Sequence, residues 1–434
     1  MFCSAIRKAV FNKLPLVASF STRAAQVSAK KTIGLGLAVG LSSVGAAYVL
    51  KQNIFANEKS KDSVFSWGFG QFGQLGHGGV SDEILPRRID ELEEEECTFV
   101  AAGGNTTAVI TADGSLWTFG QGENDQLGHG ITSASPNESI PRAIEDEFDD
   151  KKVIDVAIGV NHCAAVTEDG AVYSWGRASM GRLGQPNNEP GCPGKVAGLE
   201  NEKIVKVSVG NQHTLALTEK GEVYAWGNNK QRCLGVTGTG VYNKAVKVEG
   251  LEGSRIQDIS CGLESSMCLT DKGEVYTWGS DDYGQLGHGS GARYIEKPTK
   301  IKSIRNIPMV KIVSGEYHCL ALSNKNEVYA WGRGNNGQTC NAKCNDTNSP
   351  KAIEQLKDIK ITQIAAGGGH SAVVDEHGTL YTFGRGRHGQ LGRGDKVESI
   401  AAYRVDPTPV EYLQNKKIKQ VVCGGDHTVA IIEH

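Results

Sequence analysis

Residues 277–289 read TWGSDDYGQLGHG. A short run ending in an aromatic residue and a glycine leads into a glycine-rich turn, which is the spelling of a strand followed by a tight connection. The same signature stands at 66–78 (SWGFGQFGQLGHG), 118–130 (TFGQGENDQLGHG), 174–185 (SWGRASMGRLGQ), 225–236 (AWGNNKQRCLGV), 330–342 (AWGRGNNGQTCNA) and 382–394 (TFGRGRHGQLGRG). The aromatic anchors are Trp67, Phe119, Trp175, Trp226, Trp278, Trp331 and Phe383, spaced 52, 56, 51, 52, 53 and 52 residues apart. A period near 50 residues is that of a repeat array and not of a string of unlike domains.

Working outward, a second element precedes most anchors. It reads Gly-x-x-His, an apolar run, and a turn. The copies are GVNHCAAVTEDG at 159–170, GNQHTLALTEKG at 210–221, GEYHCLALSNKN at 315–326 and GGGHSAVVDEHG at 367–378. GGNTTAVITADG at 103–114 has Thr106 in place of the histidine, and GLESSMCLTDKG at 262–273 has Ser265. The final copy, GGDHTVAIIEH, begins at Gly424. Short strands between glycine turns at this period predict an all-β fold of four-stranded blades, a propeller. The first anchor lacks its Gly-x-x-His half and the last half lacks its anchor. Pairing of the N- and C-terminal strands then makes the seventh blade and closes the ring, which leaves no unpaired sheet edge there. The array accounts for the glycine content, 55 of 434 residues with only 12 prolines.

The sequence resembles the regulator of chromosome condensation repeat family on the strength of these W-G-x-x-x-x-G-Q-L-G-H-G anchors and G-x-x-H-[ST]-x-A-L strands, over about residues 62–434. The resemblance implies a seven-bladed β-propeller. It also implies a protein partner, because the founding member of the family catalyses guanine nucleotide exchange on a small GTPase, with acids and histidines of its exchange face at or just before the Gly-x-x-His histidine. The pre-histidine positions are Asn161, Gln212, Tyr317, Gly369 and Asp426, with Glu264 at the same offset in the copy that carries Ser265. Only Asp426 and Glu264 are acidic there. They are the candidate partner-binding residues on this side, and no counterpart of the family's exchange wedge stands out.

Ahead of the array lies a segment of different composition. Residues 1–31 carry Arg7, Lys8, Lys13, Arg23, Lys30 and Lys31 without an acid, and hydroxyls cluster at 19–22. This is the composition of a mitochondrial targeting presequence. Residues 32–50 hold no charged side chain. As a helix they would rise about 28 Å, close to the thickness of bilayer hydrocarbon. The expected organisation is therefore presequence 1–31, transmembrane helix 32–50, linker 51–62 and propeller 63–434. That module resembles the mitochondrial branch of the family, which includes fungal inner-membrane members linked to respiratory complex assembly. The expected location is the inner mitochondrial membrane, single-pass, with the propeller in the intermembrane space.

Charge narrows the partners. Residues 1–61 contain nine Lys/Arg and one acid, leaving 37 basic and 48 acidic residues beyond them, a net of −11. A body of that sign argues against nucleic acid held on a broad basic surface. Acidic stretches at Glu91 with Glu93 to Glu96, and at Glu145, Asp146, Glu147, Asp149 and Asp150, are candidate contacts for a basic partner. No nucleophile, base and orienting group stand together, so no catalytic residue is assigned. Gly68-x-Gly70-x-x-Gly73 and Gly384-x-Gly386-x-x-Gly389 spell a dinucleotide fingerprint, but each is a repeat turn followed by strand where the fingerprint needs a helix. The histidines His162, His213, His318, His370 and His427 share one repeat position and His77, His129 and His288 another. Spread over successive blades they predict hydrogen bonds to neighbouring turns, not a metal site, and no cofactor is expected. Cys163, Cys319, Cys261 and Cys423 read as small core residues, while Cys340 and Cys344 replace a repeat turn.

The expected function is a membrane-anchored, non-enzymatic interaction scaffold that assists assembly or maintenance of an inner-membrane respiratory complex. The alternatives are nucleotide exchange on a mitochondrial GTPase and association with the mitochondrial ribosome.

Overall fold

Each repeat folds into four antiparallel strands because short extended runs, five to seven residues long except at Gly194–Lys195, alternate with turns that cannot continue them. The computed structural model describes residues 62–130, 136–145, 147–186, 191–289, 291–394 and 403–433. The presequence, the apolar segment 32–50 and nearly all of the linker lie outside them, as does Asp146. Among the described residues no helix is long and apolar enough to cross a membrane. Strands β1 to β28, numbered in chain order, run from β1 (Ser63–Gly68) to β28 (His427–Glu433) and form seven four-stranded sheets.

Six sheets are built from consecutive strands, for example β11 (Ile204–Val209), β12 (His213–Thr218), β13 (Val223–Asn228) and β14 (Val241–Lys247). The seventh has the order β2-β1-β28-β27, with β2 at Glu83–Arg88 and β27 at Lys417–Cys423. Ser63 stands opposite Ile432 and Gly68 opposite His427 across its central pair.

Position within a blade sets burial. The second strand of every blade is buried along nearly its whole length, as in β12, where all six residues are covered. The first strand alternates: Ile204, Val207 and Val209 of β11 are buried while Val205 is exposed. These first strands ring the axis, where they line a cavity of about 230 Å³. The hydrophobic clusters lie between blades. One joins Trp226 with Ala164, Val166 and Val172 of the preceding blade, and another joins Trp67 with Ala372, Val374 and Leu380. Five tryptophans and two phenylalanines at the anchor position are wholly buried. Each hides roughly 200 Å² of mostly apolar surface, on the order of 5 kcal/mol at ~25 cal/mol/Å².

Candidate functional site

The joint between blades is where repeat side chains do their chemistry. The indole Nε1 of Trp226 donates to the Arg182 carbonyl of the preceding blade at 2.9 Å, and Trp278 does the same to Cys233 at 2.8 Å. Trp175, Trp331 and Trp67 reach Gln126, Gln285 and Gln390 at 2.9, 2.9 and 3.0 Å. Glycine is required beneath these rings. A Cβ at Gly392, whose φ is +68°, would lie 2.7 Å from Trp67 Nε1.

The histidines reach the other way. His162, His213, His318, His370 and His427 meet the hydroxyls of Thr214, Ser266, Ser371, Thr428 and Thr107 in the following blade at 2.8–3.0 Å. Ser266, Ser371, Thr428 and Thr107 donate their own protons to the Cys233, Gln338, Gln390 and Gln74 carbonyls. Each of these four hydroxyls then has only a lone pair for the histidine, so Nε2 carries a proton, and the buried ring stays neutral with Nδ1 bare. Burial holds the rings in that form. It pushes His213 and His427 down to about 4 and His318 and His370 to about 3. These histidines are structural clamps, as are His77, His129 and His288, which bond Ser66, Thr118 and Thr277 within their own blades.

Two joints lack the histidine. After Thr106 and Ser265 the partner position of the next blade holds Cys163 and Cys319. Their thiols donate weakly to the Gln126 and Gln285 carbonyls, at 3.2 and 3.4 Å. Hydroxyl accompanies histidine and thiol its absence. That pairing was present in the sequence, one repeat apart, but becomes visible only when the joint is drawn.

The antiparallel order assigns the candidate residues to two faces. Turns between first and second strands, and the glycine-rich loops after the anchors, lie on one face, here the apical face. Turns after second strands and the connections between blades lie on the other, the basal face. Glu264 and Asp426 sit in apical turns. Glu145, Glu147, Asp149 and Asp150, between β6 (Glu138–Ala143) and β7 (Val153–Ile158), are basal. The two sets therefore form no common site. Asp149 is engaged by its own chain: Lys195 Nζ lies 2.5 Å away and Tyr173 donates its hydroxyl at 2.9 Å. The Lys195 contact, then the tyrosine, hold its carboxyl below the usual range. Phe148 beside it packs edge-on against Tyr173 and Trp175. Glu145 and Asp150 are exposed.

On the apical face the turns meet at the axis, around a cavity of about 80 Å³ lined largely by glycines. Backbone bonds stitch them in sequence: Asn211 N to Leu263 O, Leu263 N to Glu316 O, Glu316 N to Gly367 O and Gly425 N to Gly104 O, at 2.9–3.1 Å. Glu264 and Asp426 are brought to this rim, with two further turns between them that carry Glu316, Tyr317 and Gly369. Glu316 lies one position before the pre-histidine Tyr317 and so falls outside the pre-histidine pattern. Its carboxyl is raised by burial and by Asp426, and lowered in part by Arg385 and Arg333. Arg333 lies over the rings of Tyr283 and Tyr317, 5.0 and 5.7 Å from their centroids, and those rings meet edge-on at 4.9 Å. Asp426 accepts from Gln390 Nε2 at 2.8 Å and pairs with Arg385 at 3.4 Å. Among the described residues no group of three or more His, Cys, Asp or Glu side chains is placed to hold a metal ion. Cys340 and Cys344 are both unbridged, and both adopt positive φ.

Comparison with known proteins agrees with this architecture. Human E3 ubiquitin-protein ligase HERC2 is 33% identical over 372 residues, 85% of this chain but only 8% of that protein's length. The mitochondrial RCC1 domain-containing protein RUG3 of Arabidopsis thaliana is 28% identical, with 85% of this chain and 88% of RUG3 covered. The secretion-regulating guanine nucleotide exchange factor of Bos taurus is 29% identical, with 86% and 83% covered. The crystal structure of Prp20p from Saccharomyces cerevisiae, reported with its binding to Gsp1p and histones, superposes with a TM-score of 0.76 at 25% identity, covering 86% of this chain and 92% of Prp20p. The model of the RCC1-like domain matches residues 63–430, and the chain belongs to that family of seven-bladed propellers.

Proposed function

We propose that this chain is a non-enzymatic docking propeller delivered to mitochondria, held at the inner membrane by residues 32–50, where it assists assembly or maintenance of a membrane complex. The observation that carries the docking face is the stack of Arg333 on Tyr283 and Tyr317 at the apical rim, beside Glu264, Glu316 and Asp426. Tyrosine and arginine are the residues most enriched where binding energy concentrates, and their stacking holds them ready at low entropic cost. The acid-free N-terminus and the mitochondrial relative RUG3 support the location.

Cells carrying Tyr317→Ala with Arg333→Ala in the full chain should lose one assembled inner-membrane complex on native gels while the protein itself persists at normal abundance. Undiminished complexes at full occupancy of the variant would overturn the reading. Protease treatment of mitoplasts should cleave the propeller, whereas protection until the inner membrane is lysed would place it in the matrix.

A second reading, guanine nucleotide exchange, is favoured by Asp426 beside His427 at the apical rim and by the bovine exchange-factor relative. Under it the purified chain accelerates nucleotide release from a mitochondrial GTPase and Asp426→Ala slows that release. Equal rates with and without the chain remove it.

A further inference from the structure

The apical face repeats one arrangement twice, once with a carboxylate and once without. In the complete version, Arg385 follows the anchor pair Phe383-Gly384, Gln390 lies in the loop beyond, and Asp426 stands in the next blade's turn. Gln390 Oε1 accepts the His388 backbone N–H at 2.9 Å, its carbonyl accepts the Thr428 hydroxyl at 2.9 Å, and its Nε2 donates to Asp426 Oδ1 at 2.8 Å.

One repeat earlier the corresponding residues are Arg333, Gln338 and Gly369. Gln338 is held in the same way: its Oε1 accepts the Asn336 backbone N–H at 2.9 Å and its carbonyl accepts the Ser371 hydroxyl at 3.0 Å. The Cα atoms of Gln390 and Gln338 lie 3.1 and 3.3 Å from the positions that a Cβ would take on Gly68 and Gly384, so the two loops superpose on their blades. Gln338 is wholly buried, and its Nε2 has no acceptor because the residue in Asp426's place is a glycine. Arg333 Nε is likewise buried without a partner. A buried amide N–H without an acceptor is destabilising, and a partner that supplies the acceptor removes that penalty. Gln74 and Gln126 also have free Nε2 groups, but the turns facing them carry the side chains of Asn105 and Asn161. Of the three facing positions, only 369 carries no side chain.

Asn336 and Arg385 wall this niche. A Cβ at 369 would lie 3.2 Å from Asn336 Nδ2 and 3.3 Å from Arg385 Cδ. The unfilled groups are all donors, and the two nearby arginines offset the two nearby acids, Glu316 and Asp426. We propose that the niche over Gly369 is a socket for an acidic side chain of a protein partner, which takes there the place that Asp426 fills from within the chain in the next repeat. The inference deepens the reading of the apical rim as a docking face and rests on it, but its test needs no partner.

The probe is N-acetyl-aspartate N-methylamide, with the asparagine analogue as control. The protein is the full-length chain in detergent with labelled glutamine amides, in which Gln338→Met identifies the Gln338 signal. The aspartyl probe should shift that signal saturably and the asparagine analogue should not. Gly369→Asp should abolish the response, weakening binding by tenfold or more, about the loss of one charge-assisted contact. The same variant should melt no earlier than the wild type, since its carboxylate satisfies Gln338 internally. An unmoved Gln338 signal, an equal response to the asparagine analogue, or an undiminished response in Gly369→Asp would overturn the proposal. Should Gly369→Asp fail to fold, Gln338→Met decides by isothermal calorimetry, and binding equal to wild type overturns the socket. A partner that still docks after these changes would leave the apical-face reading standing without the socket.

Discussion

At the scale of single residues, the joints give separable energies. Replacing Trp67 by Phe removes one donor from the Gln390 carbonyl, which keeps the Thr428 hydroxyl. The expected cost is about 0.5–1.5 kcal/mol, read from urea denaturation. Phe119 and Phe383 already stand at joints of this kind, where Thr107 or Ser371 alone serves the carbonyl. A larger loss would mean that the ring and not its N–H does the work. His318→Ala and Ser371→Ala should each destabilise, with a coupling of about 0.5–1.5 kcal/mol in the double-mutant cycle. Additive effects would show that the 2.8 Å contact contributes nothing of its own. What the sequence made legible here was uneven. Anchor aromatics and clamp histidines could be read because burial repeats with the period. The role of Glu316 could not, since it depends on Arg333 and Arg385, which stand 17 and 69 residues away in sequence and reach it only around the axis. Nor could the engagement of Asp149 with Lys195 and Tyr173, which come from the following strands.

At the scale of elements, the sheet β2-β1-β28-β27 is assembled from both ends of the described chain. The missing halves of the first and last repeats already pointed to such a sheet, because each incomplete unit would otherwise leave a buried strand unpaired. The strand spacing likewise announced the blades, whereas the assignment of acids to opposite faces needed the antiparallel order. Removing residues 63–68 should leave β28, buried along nearly all its length, with one open flank. Such a chain should self-associate or melt far below the parent, by size-exclusion chromatography and circular dichroism. A monomer of unchanged stability would show that the pairing of β1 with β28 contributes little.

For the whole molecule, the buried histidines set a pH response. An unfolded histidine titrates at about 6.5, and in the folded chain His213, His427, His318 and His370 sit at about 4 or about 3, with His162 also lowered. Between those limits the unfolded chain binds more protons, so stability is complete above about pH 6.5 and declines as pH falls. Each histidine contributes up to about 1.4 kcal/mol per pH unit in that window. Asp155 and Asp281, pushed up to about 6 by burial, and Glu316 and Asp426, also raised by burial, work in the opposite direction but are outnumbered. The urea midpoint should drop between pH 7 and pH 5, and His318→Asn should flatten the slope. A midpoint independent of pH would contradict the neutral clamp.

The register that places Ser63 opposite Ile432 also fixes an order of events. A chain that emerges N-terminus first, from a ribosome or through a membrane pore, can complete six sheets from neighbouring strands as they arrive. The first strand must wait for the last. Such non-local pairing is slow to form, and during that wait one flank of SVFSWG, with Val64, Phe65 and Trp67, is available to whatever holdase stands at the exit. A chain halted before β28 is thereby marked as unfinished by its own β1, while pairing with β28 conceals that mark.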